Sequence, residues 1–161
     1  MHLTYTFDFL FYQTQNLSFI VINLPTQLIP NMPPSLGNYP GTESKSEAFH
    51  YSQVVKVGNI VKTSGQGGWS DGTMASTPSK QVELAFENVN KALQAADKRL
   101  LWNNVYAVRP YHINIDETAD MVIENFHRVM PNHRPVFTCV QISKLGIEGM
   151  LVEIELEALL E

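Results

Sequence analysis

The sequence predicts an α+β fold, a mixed β-sheet with two helices packed on one of its faces. Three observations lead there. Two β-rich runs, YSQVVKV (51–57) and IVKTSG (60–65), meet at Gly58-Asn59, a dipeptide suited to a two-residue hairpin turn. Two later stretches place apolar residues at helical spacing, and each follows a strand-like run. The last run, MLVEIELEA, alternates strictly, with Val152, Ile154 and Leu156 on one side and Glu153, Glu155 and Glu157 on the other. Helices covering the apolar side leave an acidic side bare.

Taken in order, the hairpin is followed by a glycine-rich loop, GQGGWSDGTM. Thr77-Pro78 reads as an N-cap and a first-turn proline, and Val82, Ala85, Phe86, Val89 and Leu93 continue at helical spacing, giving a helix over Pro78–Ala96. A strand is expected over Asn104–Asn114, with Pro110 suggesting an edge or a bulge. Asp116 opens a second helix with Ala119, Val122, Ile123, Phe126 and Met130 on one face, and Pro131 ends it. Two strands, Pro135–Ser143 and Met150–Ala158, close the chain and are expected to form a hairpin. The predicted order is ββ-α-β-α-ββ.

The first forty residues differ in character. They contain no Lys or Arg, the first being Lys45. Leu17–Leu24 is apolar but much shorter than a membrane span, and it lacks the basic flank of a secretory signal and the arginines of a transit peptide. Pro25, Pro30, Pro33, Pro34 and Pro40 interrupt regular structure. Residues 1–40 therefore read as an extension, either disordered or an artefact of the gene model, with Met32 as a candidate start and 41–161 as the domain. The cytosol is the default compartment, with the mitochondrion left open.

A net charge of -5, with no basic cluster larger than Lys98-Arg99, argues against a nucleic-acid binder. The single cysteine, Cys139, excludes an internal disulfide and any multi-cysteine metal site; its apolar run suggests a small buried hydrophobe. Five histidines show no HExxH-like spacing, so neither a metal nor another cofactor is expected. Gly65, Gly67 and Gly68 lack the directly following helix of a P-loop; they read as a tight loop against a neighbouring subunit or, second, as an anion cradle. Trp69 reads as a lid or an interface anchor, and His50-Tyr51 as pocket lining with proton transfer as the alternative.

HYSQVVKVGN, VKTSGQ, the helix QVELAFENVNKALQAA, TCVQISKL and VEIELEA, in that order over about residues 50 to 158, resemble the reactive intermediate deaminase (Rid, or YjgF-like) family, also called the L-PSP endoribonuclease group. GQGGW and PNHRP point to a divergent branch. The resemblance implies a chorismate-mutase-like fold and a homotrimer with small-molecule clefts between subunits. It also implies hydrolysis of enamines or imines derived from amino acids, with a small carboxylate or imine metabolite as ligand. Residue by residue it implies Glu153 as the group that orients water and Tyr51 and Ser64 as cleft lining; Gln66, Trp69, His133, Phe137 and Cys139 are expected with them as substrate-binding residues. The family's carboxylate-binding arginine falls at Phe137 in this sequence, and Arg134 lies three residues upstream beside His133. Arg134 is then either a displaced anchor, with His133 as a substitute, or a plain rim cation. Ile123 stands where the family commonly has asparagine, and Phe49-His50 where it has Gly-Pro. Three functions follow: a Rid-like deaminase, a non-catalytic binding trimer of the same fold and, last, an endoribonuclease or translation inhibitor.

Overall fold

The computed structural model describes residues 33–161 and, as backbone, two short strands, β1 (Phe11–Gln13) and β2 (Phe19–Val21), which pair antiparallel. These two strands belong to a separate unit, Met1–Asn31. The candidate start at Met32 and the rest of the extension up to it lie outside the described residues. Ser35–Gly37, assigned above to the extension, instead forms β3 and pairs with β4, and Tyr39 is buried. The sheet unit therefore begins earlier than residue 41.

The expected hairpin forms as β4 (Val54–Val57) and β5 (Ile60–Thr63), with Val57 opposite Ile60. Gly58 has φ +61°, the first-position conformation of a type II′ turn. Within the glycine-rich stretch are β6 (Gln66–Gly67) and a second small hairpin, β7 (Trp69–Ser70) with β8 (Thr73–Met74). Asp71 and Gly72, both at positive φ, make its turn. Three helices follow the chain: α1 (Glu43–Phe49), which the sequence pattern did not signal, α2 (Pro78–Ala96) and α3 (Ile115–Val129). Helix α2 starts as expected, with Thr77 accepting from the Lys80 N–H at 3.4 Å. The remaining strands are β9 (Val105–His112), β10 (Val136–Phe137), β11 (Val140–Gln141) and β12 (Val152–Leu159).

The main sheet runs β10-β9-β12-β5-β4-β3, with β11 also on β9 and β6 also on β12. Two expectations are corrected here. The last two strands do not form a hairpin, because β9 lies between them, parallel to β10 and β11 and antiparallel to β12. A parallel neighbour needs a crossover connection, and α3 supplies it. Pro110, moreover, is not at an edge. The Val108 and His112 carbonyls accept from Thr138 and Ile142 N–H groups, so even-numbered β9 residues turn their backbone groups toward β10 and β11. Pro110 has no N–H to offer on that side, and the partner strand is interrupted at Thr138-Cys139, opposite it.

The core sits between the sheet and α2 and α3. Val82, Ala85, Phe86, Val89 and Leu93 of α2 are all buried there with Val152, Ile154 and Leu156 of β12. Phe86 stacks on Trp102 and meets Phe126 edge-on, each at 5.1 Å between centroids. Helix α3 contributes Val122, Phe126 and Val129, whereas Ile123, expected on its inner face, is 42% exposed. The opposite sheet face carries Lys62, Arg109, Tyr111 and the three glutamates of β12, half-buried or exposed.

Candidate functional site

A cleft of about 760 Å³ opens beside that face where β4, β5 and the end of α1 converge. Its lining includes His50, Tyr51, Lys62, Ser64, Gly65 and Glu155. His50 ends α1 in the left-handed region, at φ +56°, its N–H bonded to the Ser46 carbonyl. That turn delivers Tyr51 to the cleft, and the Ser46 hydroxyl holds the Tyr51 carbonyl. Ser64 is anchored on both sides: its hydroxyl donates to the Ser52 carbonyl (2.6 Å) and its N–H to the Gln53 carbonyl (2.9 Å). The structure thus brings Tyr51 and Ser64 together.

Glu153 stands at the wall of the same region. It pairs with Gly67 on one side and Tyr111 on the other, and its carboxylate lies directly over Gly65. A Cβ at Gly65 would fall 2.4 Å from Glu153 Cδ and Oε1, so only glycine leaves room for that carboxylate. The three glutamates of β12 differ in company. Glu155 receives the Arg109 guanidinium and, at 3.1 Å, the Tyr111 hydroxyl; Glu157 receives the Tyr106 hydroxyl at 2.6 Å. Glu153 has no hydrogen-bond or ion-pair partner among the described residues. Burial first, and the charge of Glu155 second, push its carboxyl above the usual range. Burial likewise raises the Tyr51 phenol, so it remains protonated at neutral pH.

The other expected site residues divide from these. Arg134, His133 and Phe137 line a separate pocket of about 160 Å³ with Ile123, Phe126 and Met130, at the end of α3. His133 Nε2 donates to the Val105 carbonyl, and Phe137 packs edge-on against Phe126 at 5.7 Å. Arg134 is exposed and has no ion pair among the described residues. Cys139 is half-buried at the strand interruption, and burial raises its thiol above the ordinary value. Within one chain, therefore, Arg134 does not join Glu153.

Two further residues expected in the site are buried within the chain. Gln66 is fully buried and bonded to Tyr39, Gln53 and the Ser64 carbonyl. Trp69, read as a lid or an interface anchor, is buried within the chain against Leu145 and Met150, with Lys45 Nζ 4.7 Å from the ring centroid. The glycines of this loop serve close packing. A Cβ at Gly68 would come within 2.2 Å of Gln81 Cα in α2, and one at Gly67 within 2.7 Å of the Trp69 ring.

Sequence reasoning missed Arg109, Lys62, Gln53 and Tyr39. Arg109 had a readable signal, since alternation along Val105–His112 puts Ala107, Arg109 and Tyr111 on the acidic face.

Comparison with known proteins agrees with this architecture. The model of the endoribonuclease L-PSP family matches residues 42–160. A member of the YjgF/YER057c/UK114 family from Mycobacterium tuberculosis is 23% identical, covers 80% of this chain and 100% of its own, and superposes with a TM-score of 0.67. A protein described as an endoribonuclease from Thermotoga maritima is 29% identical over 69% of this chain and 87% of its own, with a TM-score of 0.62. Escherichia coli TdcF, solved with bound serine, is 25% identical over 69% of this chain and 88% of its own, with a TM-score of 0.61. No curated protein matches the sequence significantly. With a family model spanning both long helices and every strand of the main sheet except β3, the chain belongs to the L-PSP (YjgF/Rid) family.

Proposed function

We propose that this chain is a cytosolic hydrolase of small imines or enamines derived from amino acids, and that it works as a homotrimer with its sites between copies. The observation that carries the reading is Glu153, a half-buried carboxylate without a partner among the described residues, with a raised proton affinity, lying against Gly65 of the Tyr51 cleft. A group poised this way is suited to take a proton from water and return it. An enamine first tautomerises to its imine. Water then adds to the imine carbon as Glu153 takes its proton, forming a carbinolamine. Glu153 returns that proton to nitrogen; the carbinolamine hydroxyl then gives its own proton to the departing nitrogen as the C–N bond breaks, so that ammonia leaves and a keto acid remains. The Tyr51 hydroxyl supplies a hydrogen bond at the cleft. Arg134 of a second copy supplies the planar two-point match to the substrate carboxylate, which Lys62, a point charge, does not. The serine bound to TdcF supports a ligand of amino-acid size.

Phe137 at the position of the family arginine favours a second reading, in which the trimer binds small carboxylates or carbonyls without turning them over. An endoribonuclease, despite the family's name, ranks behind both on the net charge of -5. Generating 2-aminoacrylate in situ and following ammonia and pyruvate separates the first two. Release faster than buffer, lost in Glu153→Gln, supports the hydrolase; a rate equal to buffer, with pyruvate bound, leaves the binding trimer. Light scattering that finds only single chains at working concentrations would end both.

A further inference from the structure

Four side chains form one hydrogen-bonded line from the interior to the cleft. Tyr39 Oη donates to Gln66 Oε1 at 2.8 Å, Gln66 Nε2 to Gln53 Oε1 at 2.8 Å, and Gln53 Nε2 to Tyr51 Oη at 2.7 Å. The direction of this line is set by the backbone. Gln66 Nε2 also donates to the Ser64 carbonyl at 3.0 Å, and a carbonyl can only accept. The Gln66 amide nitrogen must therefore face Ser64 and Gln53, and its oxygen must face Tyr39. Gln53 is then obliged to accept at Oε1 and to donate at Nε2. The Tyr51 oxygen is engaged as an acceptor from behind, so its own O–H has to point away from Gln53.

The line is also fixed in place. Gln53 and Gln66 are fully buried, so bulk water does not compete for their amides. The Gln53 N–H donates to Asn38 Oδ1 at 3.0 Å and its carbonyl accepts from Ser64, while Gln66 is held opposite Ile154 by the sheet. Burial pushes the Tyr39 phenol up to about 12, which keeps the first donor of the line protonated at any physiological pH.

We propose that Tyr39, Gln66 and Gln53 are positioning residues that present the Tyr51 hydroxyl to the cleft as a hydrogen-bond donor, so that the site selects ligands offering a lone pair there. The ligand group facing Tyr51 is thereby a carboxylate or carbonyl oxygen or a neutral imine nitrogen, and an ammonium group is disfavoured at that point. This rests on the reading of the cleft as a ligand site, but the polarity of the line is testable without any ligand.

Full-length protein labelled with 3-fluorotyrosine, whose phenol is more acidic than tyrosine's, lets Tyr51 be titrated by fluorine NMR while the protein stays folded; Tyr51→Phe assigns its signal. An amide that donates to Tyr51 stabilises the phenolate. Gln53→Met, close in shape, is therefore expected to raise the Tyr51 midpoint by about one pH unit. A lowered or unmoved midpoint would overturn the proposal, since a line of opposite polarity loses an acceptor on the same substitution. Gln66→Met, one bond further off, moves the midpoint the same way by less, and it carries the test if Gln53→Met does not fold. Pyruvate titrated calorimetrically supplies the ligand arm. Tyr51→Phe and Gln53→Met should each weaken binding about tenfold, with the double variant no weaker than Tyr51→Phe alone. A Gln53→Met penalty that persists undiminished without the Tyr51 hydroxyl would make Gln53 merely structural. If pyruvate does not bind wild type, the functional reading of the cleft fails, while the NMR midpoints still decide the polarity of the line.

Discussion

Gly65→Ala is the sharpest perturbation the structure offers, because one methyl group should stop the reaction without unfolding the protein. Gly65 is not at positive φ, so alanine is compatible with its backbone and lowers the entropy of the unfolded chain, worth about 0.4–1 kcal/mol in its favour. The new Cβ would lie 2.4 Å from Glu153 Cδ and Oε1, where ordinary contact begins at 3.4 Å. Glu153 Cγ, at 2.5 Å, is crowded as well, so the side chain must swing from Cβ onward and the carboxylate retreats by at least about 1 Å. A misplacement of that size costs a positioned catalytic group roughly 100-fold, or about 2.7 kcal/mol of transition-state stabilisation. The assay is ammonia and pyruvate release from 2-aminoacrylate, with circular dichroism and thermal melting on the same samples. We expect kcat to fall about 100-fold with a melting curve close to wild type. An alanine variant that is folded and turns over as fast as wild type would show that the carboxylate over Gly65 is not the group that handles water.

Three further outcomes are expected. Gly68→Ala, three residues on, should cost stability rather than activity alone: its Cβ would sit 2.2 Å from Gln81 Cα and 2.3 Å from its carbonyl oxygen, both backbone, and overpacking against a helix costs about 3 kcal/mol, read as a lower denaturation midpoint at unchanged m. Glu153→Gln should raise stability at pH 7 to 8 while abolishing turnover. The folded carboxyl binds its proton more tightly than the unfolded one, so its contribution is fully present below the unfolded pKa and is lost as pH rises through the folded value; melting temperatures of variant and wild type should converge toward pH 4. Phe86→Ala, which removes the ring between Trp102 and Phe126, should cost about 4 kcal/mol in a urea titration, and a loss under 1 kcal/mol would mean that the three rings do not form the centre of the core.

The elements that were legible in the sequence are those whose signal is local. The turn at Gly58-Asn59, the Thr77 cap and the inner face of α2 follow from neighbouring residues alone, and the structure has each where expected. Asp71-Gly72 was an equally local turn signal, yet a loop rich in glycine hid the two-residue strands around it. What local pattern does not carry is pairing. Nothing in TCVQIS states that it lies beside β9 in parallel, nor that the missing N–H of Pro110 breaks the partner strand and not its own. For the site, Tyr51, Ser64 and Glu153 came from motif position, whereas their neighbours Gly65 and Gln53 owe their roles to a close approach and a buried hydrogen bond between distant segments. Gln66 was placed in the site by its motif and turns out to stand behind it.

The distribution of charge over the two hollows explains why this chain needs more than one copy to act as proposed. Among the described residues, the Tyr51 cleft has one lysine or arginine in its lining, Lys62, which faces Glu157 across the strand pair. Arg109 is already committed to Glu155. A substrate carboxylate entering that cleft would thus meet Glu155 in the lining, the Glu153 carboxylate beside Gly65 and no free guanidinium, an arrangement that does not favour an anion. The complementary set, with Arg134 exposed above an apolar floor of Ile123, Phe126 and Phe137, lacks any acid to handle water. Each hollow holds what the other wants. A second copy that sets the arginine pocket against the glutamate cleft would cancel the repulsion and enclose Glu153 further; the guanidinium favours the ionised carboxylate and enclosure the protonated one, so the two act in opposite directions on its proton affinity. The proposed assembly would then do more than cover an open sheet face: it would join the acid to the anchor.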